Sequence, residues 1–432
     1  MRWRILALLF LARIGLGLQF QTLASVGDGL TVAFGLDHAS LGLLIGVFMA
    51  PGLILALPVG YLGRLVRDRE MAVLGLMALA VGGLVSALAE GFLDIGMGRT
   101  IAGCGFLFVN LYVTKMVADW FEGREIATAM SVLVMSWPFG IAMGQVGHAW
   151  LAETYDWRAP FHVASAYCLL AALGVFAFYR APGDGPAAGS GGTARLSGRE
   201  WRLVICAAAA WGVFNAAYVI YLTFGPKVLE AQGHTSVAAA GIVSIGSWLM
   251  IGSGVLCGQI VDRLGRRTLV LSVCMTGAVI ALWLLGRPGA GLAASLIFGL
   301  VGMAPAGVIM ALAGLALRPE VRAFGMGVFF TIYYAIMLAT PPAAGAILDE
   351  TGRPGDPLLL AMVLFASVVP FALAFRGLEP RTPPSLRKTR PTGTVALTVR
   401  RRRGPARRWD RSGGDAEEAV EDADLARDAG RR

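Results

Sequence analysis

Twelve stretches of this chain are apolar over the length that a bilayer requires. They fall at about 4–26, 40–62, 71–91, 95–117, 128–151, 158–179, 202–225, 237–260, 268–286, 290–316, 323–347 and 357–376. In hydrocarbon every backbone N–H and C=O must be satisfied within the protein, so such runs fold as helices. The expected fold is therefore an all-α polytopic membrane protein. Only 15% of the residues are charged, against about a quarter in soluble domains. No loop is long enough to hold a separate soluble domain.

The placement of Lys and Arg sets the expected topology. Arg2, Arg4, Arg64, Arg67, Arg69, Lys115, Arg124, Arg180, Arg263, Arg266, Arg267 and Arg318 fall in connections on the side of the N-terminus. The opposite side holds Arg158, Lys227, Arg287 and Arg353. By the positive-inside rule both termini lie in the cytoplasm. The same pattern explains the net charge of +9 without a nucleic-acid partner. The expected location is a bacterial inner membrane, the bacterial source being suggested by a basic complement that is nearly all Arg.

The chain also reads as a duplication. GYLGRLVRDR (Gly60–Arg69) and GQIVDRLGRR (Gly258–Arg267) are polar turns between apolar runs, half a chain apart. Pro138 and Pro341 recur at a similar offset, as do Arg4 and Arg202 where spans begin. The expected domains are a six-helix half over 1–181, a Gly-, Pro- and Ser-rich linker over 182–200, a second six-helix half over 201–377 and a disordered cytoplasmic tail over 378–432. Parallel six-span repeats place a binding site between the halves near the midplane. A monomer suffices for that plan.

Two charges lie deep in apolar spans, Arg13 and Arg99. Each costs at least about 2.5 kcal/mol at a helix centre and needs a reason to be there. No Asp, Glu or Lys lies comparably deep. Two cations facing one cavity favour an anion, and a guanidinium fork suits one well. Helical spacing puts Gly17 and Gln21 on the face of Arg13, and Gly103, Phe106, Asn110 and Thr114 on that of Arg99. In the second half, Trp211, Asn215 and Tyr218 share one face of the seventh span, and Tyr333 or Tyr334 supplies a wall from the eleventh. The candidate substrate ligands are Arg13, Gln21, Arg99, Asn110, Asn215 and Tyr218. Each has a plainer alternative: Arg99 can brace free carbonyls, and the amides and aromatic residues can serve helix packing. His148 and His162 fall near the outer ends of the fifth and sixth spans, where a proton can be taken up or a helix simply packed.

Other chemistries find no residues here. The five Cys lie inside apolar runs without metal-ligand spacing, and there is no phosphate-cradling Gly-Lys loop and no hydrolase triad pattern. The reading is not an enzyme, with no cofactor and no metal site.

Three stretches carry a family resemblance. GQIVDRLGRR resembles the signature between the second and third helices of each half of the major facilitator superfamily. RTIAGCG, with Arg99, Gly103 and Gly105, is similar to its fourth-helix signature, and WPFGIAMG (Trp137–Gly144) to that of the fifth. More narrowly, LARIGLGLQFQ, KMVADWFEGREIATAM and SWPFGIA resemble the branch of cyanate and nitroimidazole transporters. The resemblance implies two rocking halves and a cytoplasmic gate built on Asp262 with Arg266 and Arg267, an acid beside clustered Arg. Where the family usually has an acid in the first turn, this chain has Arg64, which the resemblance places among the gating residues.

The function these residues imply is transport of a small anionic solute by alternating access, secondary active or facilitative. A coupling proton stays open. Efflux of hydrophobic drugs and a sensor without flux are the alternatives.

Overall fold

The computed structural model describes residues 2–62, 66–121, 125–182, 196–318 and 321–379. Among the described residues twelve helical segments are long and apolar enough to cross a membrane. They are Arg2–Ser25, His38–Leu55, Asp68–Ala87, Phe92–Trp120, Thr128–Thr154, Ala159–Phe178, Gly198–Ala231, Ser236–Leu264, Arg267–Leu285, Gly291–Ala316, Phe324–Thr351 and Asp356–Leu378. Each overlaps its expected stretch. A short helix, Gly27–Phe34, joins the first two. Residues 1–379 form one compact unit. Arg64, most of the linker and the tail beyond Glu379 lie outside the described residues.

Sequence punctuation explains where several spans start and break. Asp37 accepts a hydrogen bond from the Ser40 N–H at the start of span two, and the Ser40 side chain, together with this N–H, holds its carboxyl below the usual range. Thr235 caps span eight. Span seven opens on a capping box of Ser197 and Glu200, so the expected linker yields to helix at Gly198. Span five divides at Met135 into Ile126–Val134 and Ser136–Thr154, just before Pro138, which has no N–H to give the preceding turn. Span ten holds a π-turn over Phe298–Gly302, a device that re-aims side chains within a helix.

Small residues let the helices touch. A Cβ on Gly17 would lie 2.7 Å from the Ile141 nitrogen, and one on Gly140 3.0 Å from the Gly17 Cα, so spans one and five meet backbone to backbone. Spans two and eleven do the same: added Cβ atoms on Gly42, Gly46 and Gly345 would overlap the carbonyl groups of Pro341, Leu338 and His38. Spans five and eight meet through Phe139 and Trp248, ring centroids 5.0 Å apart. The contacts of span two with eleven and of span five with eight join the first six spans to the last six. Several cluster toward the membrane side opposite Arg2, called the far side below. There Asp349 accepts hydrogen bonds from the N–H groups of His38 (3.0 Å) and Ala39 (2.8 Å), and its carboxylate lies 2.7 Å from His38 Nδ1. Lys227 of span seven pairs with Asp28 at the same end.

Candidate functional site

Arg13 is 8% exposed, near the middle of the first span. Its Nη2 donates to Asn110 Oδ1 at 2.6 Å, and its Nη1 to the Leu133 carbonyl at 2.9 Å and Ser136 Oγ at 3.1 Å. The Leu133 carbonyl is available because span five breaks there; it also accepts from Ser136 Oγ at 2.6 Å. All three acceptors are neutral. Arg13 Nε has no hydrogen-bond partner among the described residues, and no carboxylate there pairs with the guanidinium. A buried cation met only by neutral dipoles lacks the opposite charge with which buried charges are ordinarily paired.

Arg99 is placed differently. It is 1% exposed, and its nitrogens are spent mainly on backbone carbonyls, with Thr22 Oγ1 at 3.5 Å from Nη1. Nη1 donates to the Gln19 carbonyl at 2.8 Å, Nη2 to that of Phe20 at 3.4 Å and Nε to that of Leu44 at 3.4 Å. Its guanidinium lies 4.4 Å from the centre of the Phe48 ring. The carbonyls it braces belong to spans one and two, not to the neighbourhood of Gly103 and Gly105. The structure thus gives the two deep cations separate surroundings.

The remaining candidates scatter. Gln21 is buried and donates to Ser25 Oγ at 3.2 Å, leaving its Oε1 without a partner. Asn215 donates to the Trp211 carbonyl one turn back, at 2.8 Å. The Tyr218 hydroxyl lies 2.6 Å from Ser247 Oγ, tying span seven to span eight. Neither second-half residue bonds to Arg13. Aromatic rings cluster in each half. Trp137 lies 5.2 Å from Phe20 and 5.1 Å from Phe106. Across the molecule, Trp211 lies 6.4 Å from Tyr333 and Tyr333 5.0 Å from Tyr334. Tyr334 packs on Gly52 of the second span, where an added Cβ would lie 2.5 Å from its ring.

The charged turns pair outward. Arg267 bonds Glu379 at 2.7 Å, while Asp262 and Arg266 are exposed and form no ion pair among the described residues. In the first half Asp68 takes Lys115 at 2.9 Å. Sequence reasoning missed Ser136 and the Leu133 carbonyl as partners of Arg13. Pro138 was the available signal, since a broken helix frees carbonyls. It also assigned Glu200 to the linker. In the structure Glu200 is buried and accepts from Arg318 Nε at 2.8 Å and Nη2 at 3.1 Å.

The family model described as Major Facilitator Superfamily matches residues 9–341. The hexuronate transporter of Bacillus subtilis is 23% identical over 349 residues, 71% of this chain and 80% of that protein. The 3-(3-hydroxy-phenyl)propionate transporter of Escherichia coli is 24% identical over 359 residues, 79% of this chain and 86% of that one. The cis,cis-muconate transport protein of Acinetobacter baylyi is 23% identical over 284 residues, 61% and 68% of the two chains. These relatives do not support the narrower likeness to cyanate and nitroimidazole transporters. Among solved structures, a nucleoside transporter superposes with TM-score 0.68 at 13% identity, covering 87% of this chain and 99% of its own. A bacterial homologue of the human lysosomal transporter Spinster, inward-facing and occupied, gives 0.67 at 16%, covering 87% and 96%.

Proposed function

This chain belongs to the Major Facilitator Superfamily, and we propose that it carries a small organic carboxylate across the membrane by alternating access, with Arg13 as the charge ligand. The observation that carries this reading is the state of Arg13: buried, held by three neutral acceptors, with its Nε unpartnered among the described residues. Asn110 and Ser136 orient the guanidinium, as partners behind a ligand do at other charged sites. The aromatic walls around Trp137, Trp211 and Tyr333 supply the apolar body of the site. The relatives named above act on a hexuronate, a phenylpropionate and a muconate, which are all carboxylic acids.

The six-span sets over 1–181 and 201–377 rock about this site. The Asp349 contacts close the far side, and the turn at Asp262, Arg266 and Arg267 closes the other. Arg99 acts as a brace between spans one and two, and Gln21, Asn215 and Tyr218 line the route. The chain works as a monomer in a bacterial inner membrane, with both termini cytoplasmic by its Lys and Arg distribution.

The test is counterflow in proteoliposomes with glucuronate, 3-(3-hydroxyphenyl)propionate and cis,cis-muconate. Wild type exchanges at least one of them, and Arg13→Ala exchanges none while remaining monodisperse. Equal exchange by both proteins overturns the assignment of Arg13. Hydrophobic efflux, the rival reading, predicts drug resistance and no carboxylate exchange. It is disfavoured because a cationic drug meets no membrane-embedded carboxylate near Arg13 among the described residues.

A further inference from the structure

A charge pair that joins the first six spans to the last six has to break when that side of the molecule opens. On the far side, among the described residues, two pairs cross in this way. Asp349 of span eleven holds His38 of span two. Lys227 of span seven holds Asp28 of the short helix Gly27–Phe34.

His38 and Lys227 stand where two cavities meet. Outside them lies an open space of about 420 Å³, which Glu230 and Asp349 also line. Inside them lies a space of about 10 Å³, bounded by Leu23 of span one, Gly42 of span two and Thr223 of span seven, with room for about one water. Lys227 is therefore at the neck between the far-side mouth and the seam. Its side chain is 16% exposed and that of Asp28 64%. On separation Asp28 returns to water, whereas an ammonium held in the neck needs another counter-charge.

Span seven supplies one. Glu230 follows Lys227 by three residues on the same helix, a spacing that puts both side chains on one surface. Glu230 lines the mouth beside Lys227 and forms no ion pair among the described residues.

We propose that Lys227 is a far-side latch that exchanges partners: it pairs with Asp28 across the seam while that side is closed, and with Glu230 of its own helix once that side opens. The proposal rests on the alternating-access reading above. Lys227 and Glu230 move together on span seven, so their pairing survives the parting of the two six-span sets. The ammonium, on a flexible four-carbon stem, reaches either carboxylate by rotation of its own side chain. Its charge stays paired in both end states. The loss of the cross-seam pair is thereby offset, and the closed and open forms stay near enough in free energy to interconvert.

The test is hydrogen exchange at the amides of His38 to Leu41, on full-length protein in lipid nanodiscs without solute. Exchange there reports how often the far side opens. Asp28→Asn removes the closed-state partner and raises exchange about threefold, within what an exposed pair is worth. Glu230→Gln removes the open-state partner and lowers exchange about twofold. The double variant falls between the two, near wild type. In a Lys227→Gln background neither change has an effect. A merely structural role for these residues would raise exchange in every variant. Exchange that is unchanged or raised in Glu230→Gln, or effects that persist without Lys227, overturns the latch. The pattern is the same in Arg13→Ala, since no solute takes part, so the latch and the assignment of Arg13 fail separately. Exchange at these amides only through global unfolding, in every protein, overturns the latch together with alternating access at this side.

Discussion

The guanidinium of Arg13 donates to Asn110 Oδ1 at 2.6 Å, across the gap between the first and fourth spans. This bond positions the cation without neutralising it. A carboxylate in place of the amide would change charge at almost constant shape. Asn110→Asp is therefore expected to fold, pair with Arg13 and weaken probe binding by at least about tenfold, since a neighbouring ion pair is worth several kcal/mol away from bulk water. Asn110→Ala removes the acceptor without adding charge and is expected to cost less. Binding measured by counterflow competition checks the order, and an equal loss in both variants would mean that shape, not charge, matters there.

Arg99 joins three carbonyls on two helices. Arg99→Leu removes the guanidinium that those carbonyls share in a dry interior, although the Gln19 carbonyl keeps the Thr22 hydroxyl at 2.8 Å. The expected cost is on the order of 3 kcal/mol, seen as a lower unfolding temperature in detergent. Arg99→Lys is expected to restore little, because a compact ammonium lacks the fork that spans both helices. Unchanged stability in Arg99→Leu would remove the bracing role.

Asp349 caps the start of span two from the end of span eleven. Asp349→Ala frees the N–H groups of His38 and Ala39 at a cost of about 1–2 kcal/mol. If this contact holds the far side closed, that side opens on the order of tenfold more often. Hydrogen exchange at the amides of His38 to Leu41 reads the change directly. Protection equal to wild type would show that the glycine contacts of the same two spans suffice alone.

Glu200 holds the start of span seven to Arg318 at the end of span ten. Glu200→Ala removes the capping box together with the ion pair and is expected to cost about 1–2 kcal/mol. Glu200→Gln keeps the cap acceptor and is expected to cost less. Thermal unfolding of the two variants beside wild type checks this order.

Much of the fold was legible because membrane helices obey a local rule. Hydrophobic length alone marked the twelve spans, and a run such as Arg267–Leu285 has no other way to satisfy its backbone in lipid. The site was only partly legible. Arg13 and Arg99 were equally conspicuous in the sequence, since both are costly at that depth. Nothing local distinguishes them, because what surrounds each guanidinium comes from other helices.

The sequence by itself determined the helices, their number and the two cations buried among them, since span length and the expense of a buried charge are properties of short stretches. The tertiary structure decided which cation is spent. Three carbonyls from spans one and two accept from Arg99, while Arg13 meets one carbonyl and one hydroxyl at the break near Met135 and the Asn110 amide of span four, with Nε unpartnered among the described residues. It also decided that spans one and five meet at Gly144, because Gly144 and Gln21 belong to helices that come together only when the chain is folded. Hydrogen bonds between helices depend on distances across the bundle, and no spacing along one span encodes them.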